Sequence, residues 1–347
     1  MIKVSAEREY EITIGVSWRE RLTEIIARHN KILIVAPQII VDLYQLHSIT
    51  SERVSLAISR EAEEQKSILQ WSELIDLCGD IGLTRSDAVV AIGGGATSDL
   101  AGFVAASWLR GVSWYALPTS LAAMVDAAIG GKTGINTRHG KNLVGAFFSP
   151  AEVIIDLAFL ESLSDRDFSA GLAEIIKTAF IGPVRILEIL ESCSDLSEVR
   201  NQLLEIITLT AQYKAKVVSG DFREGREREV LNYGHTLAHA IEKFESYSLR
   251  HGEAVAIGLV FAAELSHLCC GLSMSEVDRH RSLLSRFALP TTFSPSALPQ
   301  LLEYMQGDKK SRGAQMRFIG ISQPGQPAWL EQVTIDQITS AYEKIAP

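Results

Sequence analysis

Asp87-Ala-Val-Val-Ala-Ile92-Gly-Gly-Gly95-Ala-Thr-Ser-Asp99 passes from an unbroken apolar run into three glycines and then into a stretch of helical composition. A short continuous apolar run bounded by glycine reads as a strand buried on both faces. A glycine turn placed directly after such a strand and before a helix carries a mechanism. Without Cβ atoms the backbone approaches an anion such as a pyrophosphate closely, and the helix N-terminus offers free N–H groups and a positive dipole. The spacing is not the G-x-G-x-x-G fingerprint, and a tight turn with no ligand explains the same glycines. Asp99, read as part of the first helical turn, suits the helix dipole by itself.

Outward from this stretch the same texture repeats. Ile32–Ala36, Val54–Ile58 and Trp114–Leu117 read as further buried strands, with helix-period segments over Gln65–Ile81 and Ser98–Trp108. Strand–helix alternation predicts a parallel sheet with helices on both faces, an α/β domain. From about Leu160 the pattern becomes mainly helical: Asp165–Phe180, Asp195–Gly220, Glu227–Glu245, Glu253–Leu272, Ser275–Phe287 and Ser296–Met305, with one strand over Gln315–Gly320. The expected domains are therefore residues 1–160, α/β, and 161–347, α-helical. Residues 130–150 read as a long irregular loop rich in Gly, Lys and Asn, a class of segment that is more often functional than filler.

The bulk numbers set limits. A chain of 347 residues has length for about two domains. A net charge of −9 excludes a general nucleic-acid binder, which needs a basic face. Cys78, Cys193, Cys269 and Cys270 lack metal-ligand spacing; the last two read as core, and a reduced cytoplasmic setting is expected. The N-terminus shows no apolar signal region, no apolar run reads as a membrane span, and no membrane partner is expected.

Three of the eight histidines fall close together, in Asn232-Tyr-Gly-His235-Thr-Leu-Ala-His239 and His251-Gly-Glu253. His235 and His239, four apart, share one face of a helix. In Gly171-Leu-Ala-Glu174-Ile-Ile-Lys177 a carboxylate and an ammonium also share a helix face. Imidazoles plus a carboxylate suit a catalytic zinc site with a position left open for substrate; the alternative is ordinary polar helix surface. The isolated histidines His29, His47, His139, His267 and His280 read as ordinary polar surface residues. In Asp126-Ala-Ala-Ile-Gly-Gly-Lys132-Thr the Gly-Gly-Lys-Thr run resembles the end of a P-loop, but the first glycine of that motif is replaced by Asp126 and helix precedes it, so an ATPase is rejected. Lys132, Lys141 and Asn142 remain as donors for an anionic, hydroxylated substrate. Arg110, Lys177, Lys214, Arg228 and Lys309-Lys310 can add to them, although each alone is an ordinary surface charge.

Together these segments carry a resemblance. Gly93–Phe103, Trp108-Leu-Arg-Gly111, Pro118-Thr-Ser-Leu-Ala-Ala-Met-Val-Asp126, Gly130-Gly-Lys-Thr-Gly-Ile-Asn136, Gly140-Lys-Asn-Leu143, Gly171–Lys177, Leu231–His239, His251-Gly-Glu253 and Asp308-Lys-Lys310 come in order. The chain resembles 3-dehydroquinate synthase, a sugar-phosphate cyclase, from about residue 60 to 320. The resemblance implies a dehydroquinate synthase-like fold, in which the α/β domain is Rossmann-like and nucleotide-binding and the helical domain binds metal and substrate. It also implies NAD, one divalent metal (Zn2+ or Co2+) and a homodimer. It implies the metal ligands Glu174, His235 and His251, and so moves His239 from the ligand pair suggested by spacing to an acid/base or hydrogen-bonding role. For NAD it implies Glu63, Lys66, Gly94, Gly95, Ala96, Asp99, Thr119, Ser120, Asp126, Lys132, Lys141, Phe159 and Ser162. For the phosphorylated sugar-acid substrate it implies Asp126, Lys132, Lys141, Asn142, Lys177, Lys214, Glu224, Arg228, Asn232, His239 and Lys310, with Arg110 reaching the phosphate from the other subunit. Phe148-Ser149, Ser120, Ala238 and Ala36-Pro37-Gln38 depart from the family's usual residues.

The implied reaction takes 3-deoxy-D-arabino-heptulosonate 7-phosphate to 3-dehydroquinate and phosphate. It runs through transient oxidation, phosphate elimination, reduction, ring opening and aldol closure. Three other readings share the motifs. One is a cyclase of the 2-epi-5-epi-valiolone, 2-deoxy-scyllo-inosose or aminodehydroquinate synthase type. Another is a metal-dependent polyol dehydrogenase. A binding-only descendant is the third, but none of the expected ligands or lysines is missing.

Overall fold

The computed structural model describes residues 1–310 and 316–346, with side chains described up to residue 306 and again from 316. Two compact units emerge: Met1–Leu163 with Lys214–Arg223, and Ser164–Tyr213 with Glu224–Pro347.

The first unit holds β1 (Ile2–Ser5), β2 (Glu9–Ile14), α1 (Trp18–Arg28), β3 (Ile32–Pro37), α2 (Gln38–Tyr44), β4 (Val54–Ser59), α3 (Ile68–Asp80), β5 (Ala88–Gly93), α4 (Gly95–Ser107), β6 (Ser113–Pro118), β7 (Lys132–Thr137), β8 (Gly140–Phe147) and β9 (Glu152–Ile155). Seven strands form one sheet in the order β1-β2-β9-β6-β5-β3-β4, parallel except for the β1–β2 pair. Every residue of β3 and β5 is buried. That burial is why their sequences are apolar without alternation. Ser17 and Ser67 cap α1 and α3 by accepting the Glu20 and Gln70 amides.

Three expectations change here. Residues 130–150 are not irregular: β7 and β8 pair as an antiparallel hairpin packed on α4. A lysine- and asparagine-rich strand pair with one exposed side carries no apolar alternation for a sequence reading to find. β1, β2 and β9 were not anticipated. Asp99 lies beyond the first turn of α4, whose opening residues carry no acidic side chain.

The second unit contains α5 (Asp165–Ile181), α6 (Arg185–Ser192), α7 (Leu196–Asn201), the start of α8 (Leu203–Gly220), α9 (His235–Phe244), α10 (His251–Cys270), α11 (Met274–Arg286), α12 (Leu298–Lys310), β10 (Phe318–Gln323), β11 (Gln326–Leu330) and α13 (Ile335–Glu343). The expected helix over Asp195–Gly220 is two, broken at Gln202, and that over Glu227–Glu245 is a 3-10 turn (Glu227–Asn232) followed by α9. Gly234 sits between them at φ 80, a left-handed conformation that ends one helical run and starts the next. The single expected strand is one arm of a β10–β11 hairpin.

Helix α10 is buried from Gly252 to Ser266 and packs against α5, α9, α11, α13 and β10. An apolar circumference of this kind marks a central core helix. By length and mean hydropathy (1.5) it is sufficient to cross a membrane, contrary to the sequence reading, but 78% of the window is buried within the protein. At its end Cys269 and Cys270 are half-buried, not core; the Cys270 thiol donates to the Ser266 and Ile321 carbonyls.

Candidate active site

In the second unit α5, α9 and α10 bring Glu174, His235 and His251 together, with one potential ligand atom from each lying within 4.8 Å of the others. Glu174 Oε1 stands 3.3 Å from His235 Nε2 and 3.1 Å from His251 Nε2. His235 Nδ1 lies 3.1 Å from the Tyr233 carbonyl, which can only accept. Nδ1 is therefore the donor to that carbonyl, and Nε2 is the nitrogen left facing the Glu174 carboxylate oxygen. A metal ion held there would take one nitrogen and one oxygen from the pair. His251 is flanked likewise, by Glu174 on one ring nitrogen and by Glu242 Oε2 at 3.3 Å on the other.

Electrostatics hold the carboxylate ionised. Burial alone would push the Glu174 carboxyl up, but Lys177, then His235 and His251, outweigh it and hold it well below the usual carboxylate range. Lys177 Nζ is 2.5 Å from Glu174 Oε2, and both side chains are 2% exposed. Oε2 accepts no well-angled hydrogen bond, so this close contact is ionic rather than a hydrogen bond. For His251, burial lowers basicity, but bonds to Glu174 and Glu242 reverse that and raise the ring to about 10. Two nitrogens, one buried anionic oxygen and a 42% exposed His251 side chain fit a zinc-type site with an open position.

The helices meet this closely because two glycines permit it. A Cβ on Gly252, next to His251, would lie 1.7 Å from the Ala170 carbonyl oxygen on α5. One on Gly258 would lie 2.1 Å from the Gly234 carbonyl oxygen, next to His235. Behind His235, Tyr233 is fully buried and its hydroxyl donates to His280 Nε2 at 3.0 Å, while His280 Nδ1 donates to the Glu276 carbonyl at 2.7 Å. Burial holds His280 neutral, its pKa lowered to about 3. His280 is thus a buried structural residue rather than the polar surface residue expected, and it steadies the residue that orients His235.

His239 is exposed one turn along α9, its ring 5.5 Å from that of His235 and 6.2 Å from that of His251. Arg228 is 2% exposed in the 3-10 turn that also carries Asn232. Glu224 takes a left-handed backbone, φ 58. The Lys310 side chain lies outside the described residues. Glu253 is a cap: it accepts from the Arg250 amide at 3.1 Å and pairs with Arg166. Glu242 was missed from the sequence, although seven residues after His235 it shares that helix face.

In the first unit Gly94 is the residue before α4 and has open space beside it. A Cβ there would meet only Ser120 Oγ at 3.5 Å, whereas Gly93 and Gly95 are closed by Thr97 and Ala127. Ala96 follows in the helix's opening turn, and Thr119 and Ser120 leave β6 beside it, Thr119 being buried. Lys66, 4% exposed, bonds Asp99 Oδ2 at 2.6 Å and stands 3.6 Å from Glu63. Burial would lower the Lys66 pKa, but Asp99 and Glu63 raise it above its ordinary value. Asp126 lies in a π-helical turn (Ala123–Ala127) and pairs with Lys214, one of the contacts, with Ser5–Ser219 and Phe147–Phe222, that tie Lys214–Arg223 to this unit.

Lys132 is exposed at the start of β7; Lys141 and Asn142 lie in β8 near the hairpin tip. Arg110 is exposed and left-handed (φ 65), after Leu109 at φ 50, a strained pair of non-glycine residues. Ser162 Oγ is bonded to Phe159 O and Tyr44 OH, each at 3.0 Å. The Phe159 ring is fully buried against Trp18 and Tyr44, which leaves only its backbone for a ligand. At the divergent Phe148-Ser149, Ser149 is buried and donates from N and Oγ to Glu7, and Arg8 stacks over Phe148.

The family profile "3-dehydroquinate synthase N-terminal" matches residues 56–170, and "3-dehydroquinate synthase C-terminal" matches 171–311. The 3-dehydroquinate synthase of Rhodococcus opacus (strain B4) is 50% identical over 288 residues, 82% of this chain and 78% of that one. That of Mycolicibacterium vanbaalenii is 42% identical over 99% of this chain and 98% of its own. Among solved structures, 2-deoxy-scyllo-inosose synthase complexed with carbaglucose-6-phosphate, NAD+ and Co2+ superposes with a TM-score of 0.87 at 25% identity, covering 99% of both chains. The fold also matches 2-epi-5-epi-valiolone synthase from Streptomyces hygroscopicus subsp. jinggangensis 5008, with NAD+ and Zn2+ bound, at a TM-score of 0.87 and 24% identity over 97% of this chain and 96% of that one. By the two profiles and these identities, the chain belongs to the 3-dehydroquinate synthase family.

Proposed function

We propose that this chain is a phosphate-releasing cyclase that converts 3-deoxy-D-arabino-heptulosonate 7-phosphate to 3-dehydroquinate, using NAD and a zinc or cobalt ion. The observation that carries it is the Glu174–His235–His251 cluster in a chain half identical to 3-dehydroquinate synthases. Residues 1–160 form the NAD-binding domain and 161–347 the metal and substrate domain, with Lys214–Arg223 returning to the first. When bound, the metal polarises substrate hydroxyl oxygens, and NAD accepts a hydride and gives it back.

The chain's own residues do the rest. Lys177 keeps Glu174 anionic, Tyr233 and Glu242 fix the two imidazoles, and His239 exchanges protons with a substrate oxygen. Lys132, Lys141, Asn142 and Lys214 hold the carboxylate, phosphate and hydroxyl groups of the substrate, as do Glu224, Arg228, Asn232 and Lys310, while Asp126 orients Lys214. On the cofactor side Glu63, Lys66, Gly94, Gly95, Ala96, Asp99, Thr119 and Ser120 would hold NAD, the open glycine turn and helix N-terminus suiting its phosphates. Four free cysteines accord with a cytoplasmic setting.

The test is release of inorganic phosphate from the seven-carbon phosphate with NAD present, with the product identified. Because the hydride is returned, absorbance at the NADH band stays flat while phosphate accumulates. NADH rising in step with phosphate identifies a polyol dehydrogenase instead, and turnover of glucose 6-phosphate identifies the scyllo-inosose type.

The enzyme acts as a homodimer in which Arg110 pairs with the phosphate bound by the partner subunit. The strained backbone at Leu109-Arg110 supports a held, functional position. Mixing Arg110→Ala chains with Lys177→Ala chains then restores part of the activity, because a mixed dimer has one site with both defects and one with neither. No recovery despite demonstrated subunit exchange places Arg110 in its own chain's site or outside the chemistry.

A further inference from the structure

Asn136 has no role in the reading above, yet three of its groups each hold a different partner. Its amide donates to the Lys66 carbonyl at 2.8 Å, its Nδ2 donates to Glu63 Oε1 at 2.7 Å, and its Oδ1 accepts the Asn142 amide at 3.0 Å. The β7–β8 register shifts between Ile135 and Thr137, where Asn136 alone on β7 stands opposite Lys141, Asn142 and Leu143 on β8. The ladder is interrupted there, and the Asn136 side chain bonds Glu63 and the Asn142 amide instead. Lys66 Nζ completes the circuit by bonding both Asp99 and Asn142 Oδ1. Asn142 is left-handed, φ 58, and its bonds to Asn136 and Lys66 hold that conformation.

We propose that Asn136 is a positioning residue that couples the Glu63–Lys66 turn to the hairpin tip carrying Lys141 and Asn142, so that binding at the first orders the second. The inference rests on the reading that Glu63 and Lys66 contact NAD while Asn142 contacts the sugar phosphate; Lys141 is implied for both, and protection conveyed by Lys141 alone would persist in every Asn136 variant. A ligand that fixes Glu63 and Lys66 fixes Asn136 through two of its three bonds. Asn136 Oδ1 then passes that order to the Asn142 amide. Linkage makes the effect reciprocal: an ordered tip strengthens NAD binding by the same factor.

The experiment is hydrogen exchange on the full-length, metal-loaded protein with and without NAD, read in peptides covering residues 61–67 and 137–145. In the wild type, NAD slows exchange in both. In Asn136→Ala, NAD at saturation still slows the turn, but its protection of the tip falls by about tenfold. The substrate KM rises by a similar factor while kcat changes little. Asn136→Asp keeps the acceptor for Asn142 and loses the donor to Glu63; it also loses tip protection, and adding Glu63→Gln, which re-forms that bond with reversed polarity, recovers it. This pair decides the matter if Asn136→Ala fails to fold. A tip protected equally in all variants, or never protected in the wild type while the turn is, overturns the coupling. Protection of neither segment in the wild type overturns the placement of NAD on Glu63 and Lys66, and the coupling with it.

Discussion

His235→Ala leaves a protein that folds, binds NAD and does not turn over. The substitution removes one of three ligands that converge within 4.8 Å, and water replaces an imidazole that Tyr233 had oriented. Charge stabilisation by a metal is worth several kcal/mol, so kcat/KM falls by about three orders of magnitude or more. Metal content measured after gel filtration falls in parallel. Glu174→Gln has the same effect on turnover but an additional one on stability. The buried Lys177–Glu174 contact then loses one of its charges, and breaking one side of a buried pair costs about 3–5 kcal/mol. Adding Lys177→Met to Glu174→Gln therefore recovers melting temperature without recovering metal. Full activity in a variant shown to hold no metal refutes the site.

Gly252→Ala, a change of one methyl group, has an effect nearly as large. Its Cβ would sit 1.7 Å from the Ala170 carbonyl oxygen and 2.5 Å from the Ala170 carbonyl carbon, both backbone atoms that cannot swing aside. The only relief is for α10 to move away from α5. Ala170 lies one helical turn before Glu174 and Gly252 directly follows His251, so the movement separates two metal ligands. Overpacking of a core typically costs about 1–3 kcal/mol, and a backbone clash belongs at or above the upper end. Loss of stoichiometric metal, a drop in melting temperature and a large loss of kcat are expected together. A Gly252→Ala protein with wild-type metal affinity would mean that these two helices are not held as closely as described.

The sequence by itself determined β3, β5 and β6 as strands covered on both faces and the glycines before α4; β4, read as buried too, is an edge strand with Ile58 exposed, and the Glu174–His235–His251 set came from the resemblance. β3 and β5 were legible because a strand covered on both sides must be apolar throughout. The resemblance separated His239 from the ligands where helical spacing had paired it with His235. What the tertiary structure alone decided depends on atoms distant in sequence. The β7–β8 hairpin takes its stability from α4 and from the Lys66 network, so its polar strands carried no local signal. The partnership of Glu242 with His251 and the Lys214–Asp126 pair join separate elements that no local pattern connects. Gly252 and Gly258 looked like ordinary helix residues; only the packed helices reveal that a single Cβ would part them. Local propensity is encoded residue by residue, whereas the distance between two helices is set by what each side places at the contact.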